Sequence, residues 1–96
     1  MELADIRVEI DKIDDELKTL YFKRMELSKE VAKIKSGKET GKKDNVYKPD
    51  REKQIIDRLT SDLVGEKEVL KEDYILFIQR ILENSKNYQR KLLSEE

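Results

Sequence analysis

The 96-residue sequence contains no cysteine, histidine or tryptophan, and it has only one proline and three glycines. Without cysteine or histidine, the chain offers no thiol nucleophile, no imidazole base and no ordinary zinc site. Turn residues are scarce and aromatic residues make up only 6% of the chain, which argues against a β-sandwich or barrel. The many Glu, Lys, Leu, Arg and Ile residues instead favour an all-α fold.

The charge of the chain is balanced as well as dense. Charged residues make up 45% of the sequence, and 21 Lys and Arg oppose 22 Asp and Glu, so the net charge is −1. This balance gives no reason to expect nucleic acid or an anionic membrane as the main partner. No apolar run approaches the roughly 20 residues that span a bilayer, and the acidic N-terminus lacks the features of a secretory signal. We expect one cytoplasmic domain over residues 1–96.

An apolar seam with helical spacing predicts one long helix over residues 1–36. Its steps alternate between three and four residues, with one interruption at Arg24. Gly37 and Gly41 indicate the end of the helix, which is then roughly 50–55 Å long. The members of the seam are Leu3, Ile6, Ile10, Ile13, Leu17, Leu20, Leu27, Val31 and Ile34.

The rest of the chain predicts a polar loop over residues 36–48 and two shorter helices. Pro49 fits the first turn of the second helix, and Gly65 is expected to cap its C-terminus. A short connector leads to a third helix from about Lys71 to Leu93. The buried stripe of the second helix is predicted to contain Ile55, Ile56, Leu59 and Leu63, and that of the third Ile75, Ile78, Leu82, Ser85, Gln89 and Leu92.

The length of the first helix predicts a second copy of the chain. A compact domain of this size has a radius of gyration near 13 Å, so a helix of roughly 50 Å must project beyond it. The apolar seam continues along the projecting part, where its own domain cannot bury it. In an intertwined helical homodimer, the second chain would bury these residues.

Polar residues interrupt the seams of both long helices. Arg24 lies between two leucines of the first, and Ser85 and Gln89 occupy successive core positions of the third. A lone seam arginine would ordinarily set the register through an internal ion pair, and isolated Ser and Gln are ordinary spacers. Because an unpaired buried guanidinium costs several kcal/mol, the breaks together instead favour a shared polar pocket, where helical bundles bind ligands.

Further cations follow the same faces. The series Arg24, Ser28, Val31 and Lys35 keeps to one face of the first helix, and Arg7 lies four heptads before Lys35. Arg51 and Glu52 begin the second helix, where an anion also gains from the helix N-terminus. Any one of these charges could be a solvated surface group. Their arrangement points more specifically to an anion site.

Four segments in this order resemble the all-helical chorismate mutases. Each is weak alone, but together they span nearly the whole chain. The segments are residues 6–17 (IRVEIDKIDDEL), 23–35 (KRMELSKEVAKIK), 49–53 (PDREK) and 83–89 (ENSKNYQ).

The resemblance implies an intertwined dimer of three-helix chains that rearranges chorismate to prephenate, the committed step towards phenylalanine and tyrosine. It implies that Arg24 and Arg51 clamp the two substrate carboxylates and that Arg7 arrives from the partner chain. Lys35 and Gln89 would donate to the ether oxygen of the breaking bond. The remaining implied contacts are Glu52 to the ring hydroxyl, Ser85 near the ring carboxylate, and Val31 and Leu82 as apolar walls.

This reaction requires no metal or cofactor, which fits a chain without His and Cys. A [3,3] rearrangement is unimolecular and moves no proton. The site has to hold a dianion in its compact chair and to stabilise negative charge that grows on the ether oxygen. Arginine–carboxylate pairs suit the first task, and preorganised amide and ammonium donors suit the second.

Two departures from the family pattern and two alternatives stay open. Lys48 stands where the family usually has an aspartate, and the loop before Arg51 looks about four residues longer. This loop could close as a lid over the substrate.

An isochorismate–pyruvate lyase would use a similar cationic pocket, although the set Lys35, Glu52 and Gln89 favours the mutase. A non-catalytic helical dimer or regulatory domain would show the same periodicity.

Overall fold

The computed structural model describes residues 1–38 and 48–94, except for the side chains of residues 35–38 and 94. Within these ranges the chain forms a long helix α1 and two shorter helices, α2 and α3, with a 3₁₀ helix between the latter two. This confirms the predicted all-α fold. The elements are α1 (Leu3–Lys38), α2 (Pro49–Thr60), the 3₁₀ helix (Gly65–Leu70) and α3 (Lys71–Ser94).

Helix α1 determines the shape of the molecule. Its N-terminus is capped by Asp5, whose carboxylate accepts a 3.1 Å hydrogen bond from the backbone N–H of Glu2. The helix is 36 residues long and ends at Lys38, two residues beyond the predicted end. The chain measures 55 × 27 × 14 Å with a radius of gyration of 16.9 Å, well above the roughly 13 Å of a compact domain this size.

The small hydrophobic core lies between α2 and α3. Ile55, Ile78 and Leu82 are buried there, and Ile56, Leu59, Tyr74 and Ile81 pack against them. The predicted stripes of both helices are therefore largely confirmed. The stripe of α3 ends on the buried Leu93 instead of the predicted Leu92, which is half-buried.

The prediction that Gly65 caps α2 is wrong. The helix ends at Thr60, whose hydroxyl donates a 2.7 Å hydrogen bond to the carbonyl of Ile56, and its C-cap is Ser61 in a right-handed conformation. Gly65 does adopt the left-handed region, with φ of +64°, but it does so at the start of the 3₁₀ helix. The glycine therefore begins the 3₁₀ helix and does not terminate α2.

The apolar seam of α1 is left exposed by its own chain. Every residue from 1 to 20 is exposed, and the exposed fraction of the side chains reaches 55% at Ile13 and 60% at Leu20. Isolated exposed apolar residues are ordinary in proteins, whereas these residues form a continuous stripe along one face of α1. In the described part of the chain, none of the helices combines the length and the apolar character needed to cross a membrane.

Candidate active site

The polar breaks in the seams of α1 and α3 meet in the structure. A guanidinium N–H of Arg24 (Nη1) donates a 2.6 Å hydrogen bond to Oγ of Ser85, and the hydroxyl of Ser28 donates to the same oxygen at 3.2 Å. The Ser85 hydroxyl lies 3.7 Å from the sulfur of Met25, to which it donates. Ser28 and Ser85 are both buried. The two helices are thus joined by a polar cluster where an uninterrupted seam would have packed leucine against leucine.

Gln89 extends this cluster by one turn of α3. Its amide nitrogen donates a 2.9 Å hydrogen bond to the backbone carbonyl of Ser28, and the side chain is only 7% exposed. A buried amide that is held in this way has a fixed orientation. The bond uses one of the two amide N–H groups and leaves the other to donate elsewhere.

A cavity of about 300 Å³ lies beside these residues, between α1, α2 and α3. This volume is at the small end of the range for small-molecule sites. The cavity combines apolar walls with converging charged and amide groups. Its lining residues are Arg24, Leu27, Ser28, Val31, Lys48, Arg51, Glu52, Ile55, Leu82, Ser85, Lys86 and Gln89.

Seven of the nine predicted substrate-binding residues lie in this lining. Helix α1 contributes two, α2 two and α3 three. The structure brings them to one place although they are separated by up to 65 positions in the sequence (24 to 89). They are Arg24, Val31, Arg51, Glu52, Leu82, Ser85 and Gln89.

The lining is strongly electropositive. Among the described residues, it carries the four cations Arg24, Lys48, Arg51 and Lys86 and the single acid Glu52. The pKa of Arg24 is lowered, first by desolvation on burial and then by the nearby charge of Arg51. Since both effects disfavour the charged guanidinium, an anion placed between the two arginines would offset them by stabilising the charged form. The cavity is suited to a small molecule with more than one negative charge.

Lys48 lines the cavity from the N-terminus of α2. Its side chain has no acceptor, so it cannot cap the helix, and α2 begins without a side-chain cap. Its carbonyl accepts the first helical hydrogen bond, from the N–H of Glu52 at 3.1 Å. The aspartate of the family pattern would add an acceptor here, whereas Lys48 adds a fourth cation.

Lys86 is a lining residue that the sequence analysis missed. Its ammonium lies 3.1 Å from Oε2 of Glu52 and 3.3 Å from Oε2 of Glu83. Burial alone would lower the pKa of Lys86, but the hydrogen bonds and charges of the two glutamates outweigh that effect and raise it. The sequence did contain a signal that Lys86 faces the site. Lys86 follows Leu82 by four positions and precedes Gln89 by three, which places it on the same face of α3 as these two residues.

Two predicted site residues are not among the described residues that line this cavity. Arg7 is exposed on α1, and its 17-residue separation from Arg24 corresponds to about 25 Å along the axis. Within one chain it does not line the cavity. The backbone of Lys35 belongs to α1, but its side chain lies outside the described residues, as does most of the predicted loop over residues 36–48.

Comparison with known proteins connects this geometry to an activity. A family model described as chorismate mutase type II matches residues 6–90. A curated chorismate mutase from Methanocaldococcus jannaschii is 36% identical over 94 residues, which cover 98% of this chain and 90% of that protein. No solved structure matches the chain.

Proposed function

The chain belongs to the chorismate mutase type II family and is an isomerase of chorismate, and we propose that the cavity between α1, α2 and α3 is where chorismate rearranges to prephenate. The observation that carries this proposal is the Arg24–Ser85 contact beside a cavity whose described lining carries four cations and one acid. Chorismate is a dianion, so it matches the charge of that lining. We also propose that residues 1–96 act as one catalytic domain.

Arg24 and Arg51 bind the two carboxylates in this proposal. Both guanidinium groups line the cavity, one from α1 and one from the first turn of α2. Arginine pairs with carboxylate through two parallel hydrogen bonds, which fix orientation as well as position. Two such anchors on separate helices hold the flexible substrate in its compact chair, and holding the reacting ends together accounts for part of the rate enhancement. Ser85 lies beside the ring carboxylate, and Val31 and Leu82 form apolar walls.

Gln89 and Lys35 stabilise the charge that develops on the ether oxygen. The bond from Gln89 to the Ser28 carbonyl fixes the amide and leaves its second N–H to donate to the substrate. A donor that is already oriented needs no reorganisation as the bond breaks. Lys35 provides the ammonium on the other side of the oxygen, from the same face of α1 as Arg24 and about three turns further along. No side chain exchanges a proton with the substrate.

A second copy of the chain completes the site. The exposed seam of α1 supports this, since Ile10, Ile13, Leu17 and Leu20 are each about half exposed or more within one chain. Two antiparallel copies of α1 would cover each other's seams. Such a pairing brings Arg7 of one chain towards the cavity of the other. Within one chain Arg7 cannot reach the cavity, because it lies about 25 Å from Arg24 along the same helix.

The test is to follow the loss of chorismate absorbance with purified protein and to identify the product. We expect prephenate as the product, with no added metal or cofactor. A parallel incubation with isochorismate covers the alternative lyase activity, whose products would be pyruvate and salicylate. If the protein consumes neither substrate at micromolar concentration, the proposed catalytic role of the cavity is wrong.

A further inference from the structure

We propose that Lys86 is a positioning residue, which holds Glu52 against the cavity wall and neutralises its charge so that the cavity accepts a dianion. This inference rests on the proposed function. Lys86 belongs to α3 and Glu52 to α2, so the ion pair joins two of the three walls of the cavity, and both residues line it. The family resemblance assigns no role to this lysine.

The Lys86–Glu52 pair is less exposed than a surface ion pair on helix α2. Its side chains are 15% and 24% exposed, whereas those of the Lys53–Asp57 pair on α2 are 77% and 62% exposed. A surface pair contributes little because water screens it, but a largely buried charge must be paired. Glu52 is the one acid among the described lining residues, and its carboxylate takes its nearest counter-charge from Lys86.

The bond pattern leaves Glu52 available to substrate. Lys86 contacts Oε2 of Glu52, and among the described residues no side-chain hydrogen bond or ion pair is made by Oε1. A carboxylate oxygen can accept more than one hydrogen bond, so Oε1 remains an acceptor for a hydroxyl group. Fixing Oε2 also fixes the direction of Oε1. The substrate hydroxyl then meets an acceptor whose position is set before binding.

Electrostatics gives the pair a second effect. Without Lys86, Glu52 would be an uncompensated negative charge a few ångströms from the bound dianion, and in a partly buried site this repulsion is poorly screened. Glu83 supports the arrangement from one turn away on α3, at 3.3 Å from the same ammonium. Since the lysine is held between two carboxylates, we infer that it acts on the substrate through Glu52 and not by direct contact.

The experiment measures steady-state kinetics of chorismate loss for Lys86→Met, Lys86→Gln and Lys86→Arg. We expect the Met and Gln variants to raise KM about tenfold while kcat stays within about threefold, because no bond of the hydroxyl group breaks or forms in the rearrangement. Arginine keeps the cation and should bring KM back to within about threefold of the wild type. Lys53→Met is the matched control, since it removes an exposed ion pair from α2 outside the cavity, and it should leave both constants unchanged.

A double-mutant cycle with Glu52→Gln decides whether Lys86 acts through Glu52. When Lys86→Met is combined with Glu52→Gln, it should change KM by less than about twofold relative to Glu52→Gln alone, because the charge to be neutralised is gone. The same increase in KM in both backgrounds would show direct contact with substrate and overturn the inference, as would an unchanged KM in all Lys86 variants. Far-UV circular dichroism identifies a misfolded variant, and Lys86→Gln then takes the place of Lys86→Met. A wild type that leaves chorismate unchanged would overturn the proposed function and this inference together, whereas an active wild type isolates the test of Lys86.

Discussion

The guanidinium of Arg24 donates a 2.6 Å hydrogen bond to the hydroxyl of Ser85, and this bond joins the charged break in the seam of α1 to a polar break in α3. Among the described residues, Arg24 forms no ion pair with a carboxylate of its own chain. An arginine that only sets helix register would have such a partner. Arg24 instead borders a cavity together with Arg51, so its charge is available to a ligand.

Replacing Arg24 should damage both substrate binding and turnover. We expect Arg24→Ala to lower kcat/KM by about 30- to 1,000-fold, since removing one partner of a desolvated charge pair costs roughly 2–4 kcal/mol. Arg58→Ala removes an exposed arginine of α2 that does not line the cavity, and it should remain within twofold of the wild type. Steady-state kinetics that place Arg24→Ala within threefold of the wild type would remove this residue from the site.

Replacing Lys35 should mainly reduce turnover. Removing one preorganised donor to a developing negative charge commonly costs about 3–4 kcal/mol, so we expect kcat of Lys35→Ala to fall by roughly 100- to 1,000-fold. KM should change less than kcat, because the charge on the ether oxygen grows only in the transition state. Lys33→Ala, two positions earlier on α1, is the control, since the Lys33 ammonium is exposed and lies 3.5 Å from Glu30 of the same helix. A kcat for Lys35→Ala equal to that of the control would argue against the assigned role.

A charge placed in the exposed seam of α1 should prevent association. Ile13→Lys puts an ammonium into a surface that would be buried between two copies, at a cost of several kcal/mol. Sedimentation equilibrium should show a dimer for the wild type and a monomer for this variant, which should also lose activity. Asp11→Lys introduces the same side chain on the opposite face of the helix and should remain dimeric. A wild type that is monomeric and fully active would contradict the proposed dimer.

Mixing two inactive variants should restore activity if Arg7 serves the partner's cavity. In a heterodimer of Arg7→Ala and Arg24→Ala, one site combines the native Arg24 of the first chain with the native Arg7 of the second. After joint unfolding and refolding at equal amounts, half of the dimers are mixed and each has one complete site, so activity should reach about a quarter of the wild type. Refolding each variant alone is the control. Activity no higher than the sum of the separate variants would place Arg7 outside the partner's site.

Much of the fold could be predicted because helical periodicity is a local property. The spacing of apolar residues identified α1, α2 and α3, and the absence of glycine and proline before residue 37 explained the length of α1. The end of α2 was predicted wrongly because a glycine is a general sign of chain reversal, and its position alone does not say which element it ends. The helix ends five residues before this glycine, at Thr60, whose hydroxyl donates a hydrogen bond to the carbonyl of Ile56 in the preceding turn.

Part of the candidate site could also be predicted from helical periodicity. Arg24, Ser85 and Gln89 stood out because each replaces an apolar residue in an otherwise regular seam. Lys86 did not stand out, because in a chain that is 45% charged a lysine next to a seam resembles any surface lysine. Its ion-pair partner Glu52 is 34 positions away in the sequence and 3.1 Å away in space.

The sequence by itself determined that this protein is helical, that α1 is too long for its own core, and that its chemistry uses neither thiol nor imidazole groups. These properties follow from composition and from periodicity within single helices. Only the tertiary structure decided which charges face a common cavity, that Glu52 is held by Lys86, and that Arg7 lies too far along α1 to reach the cavity of its own chain. The reason is that side chains on different helices come together only through packing, which the spacing of residues within one helix does not specify.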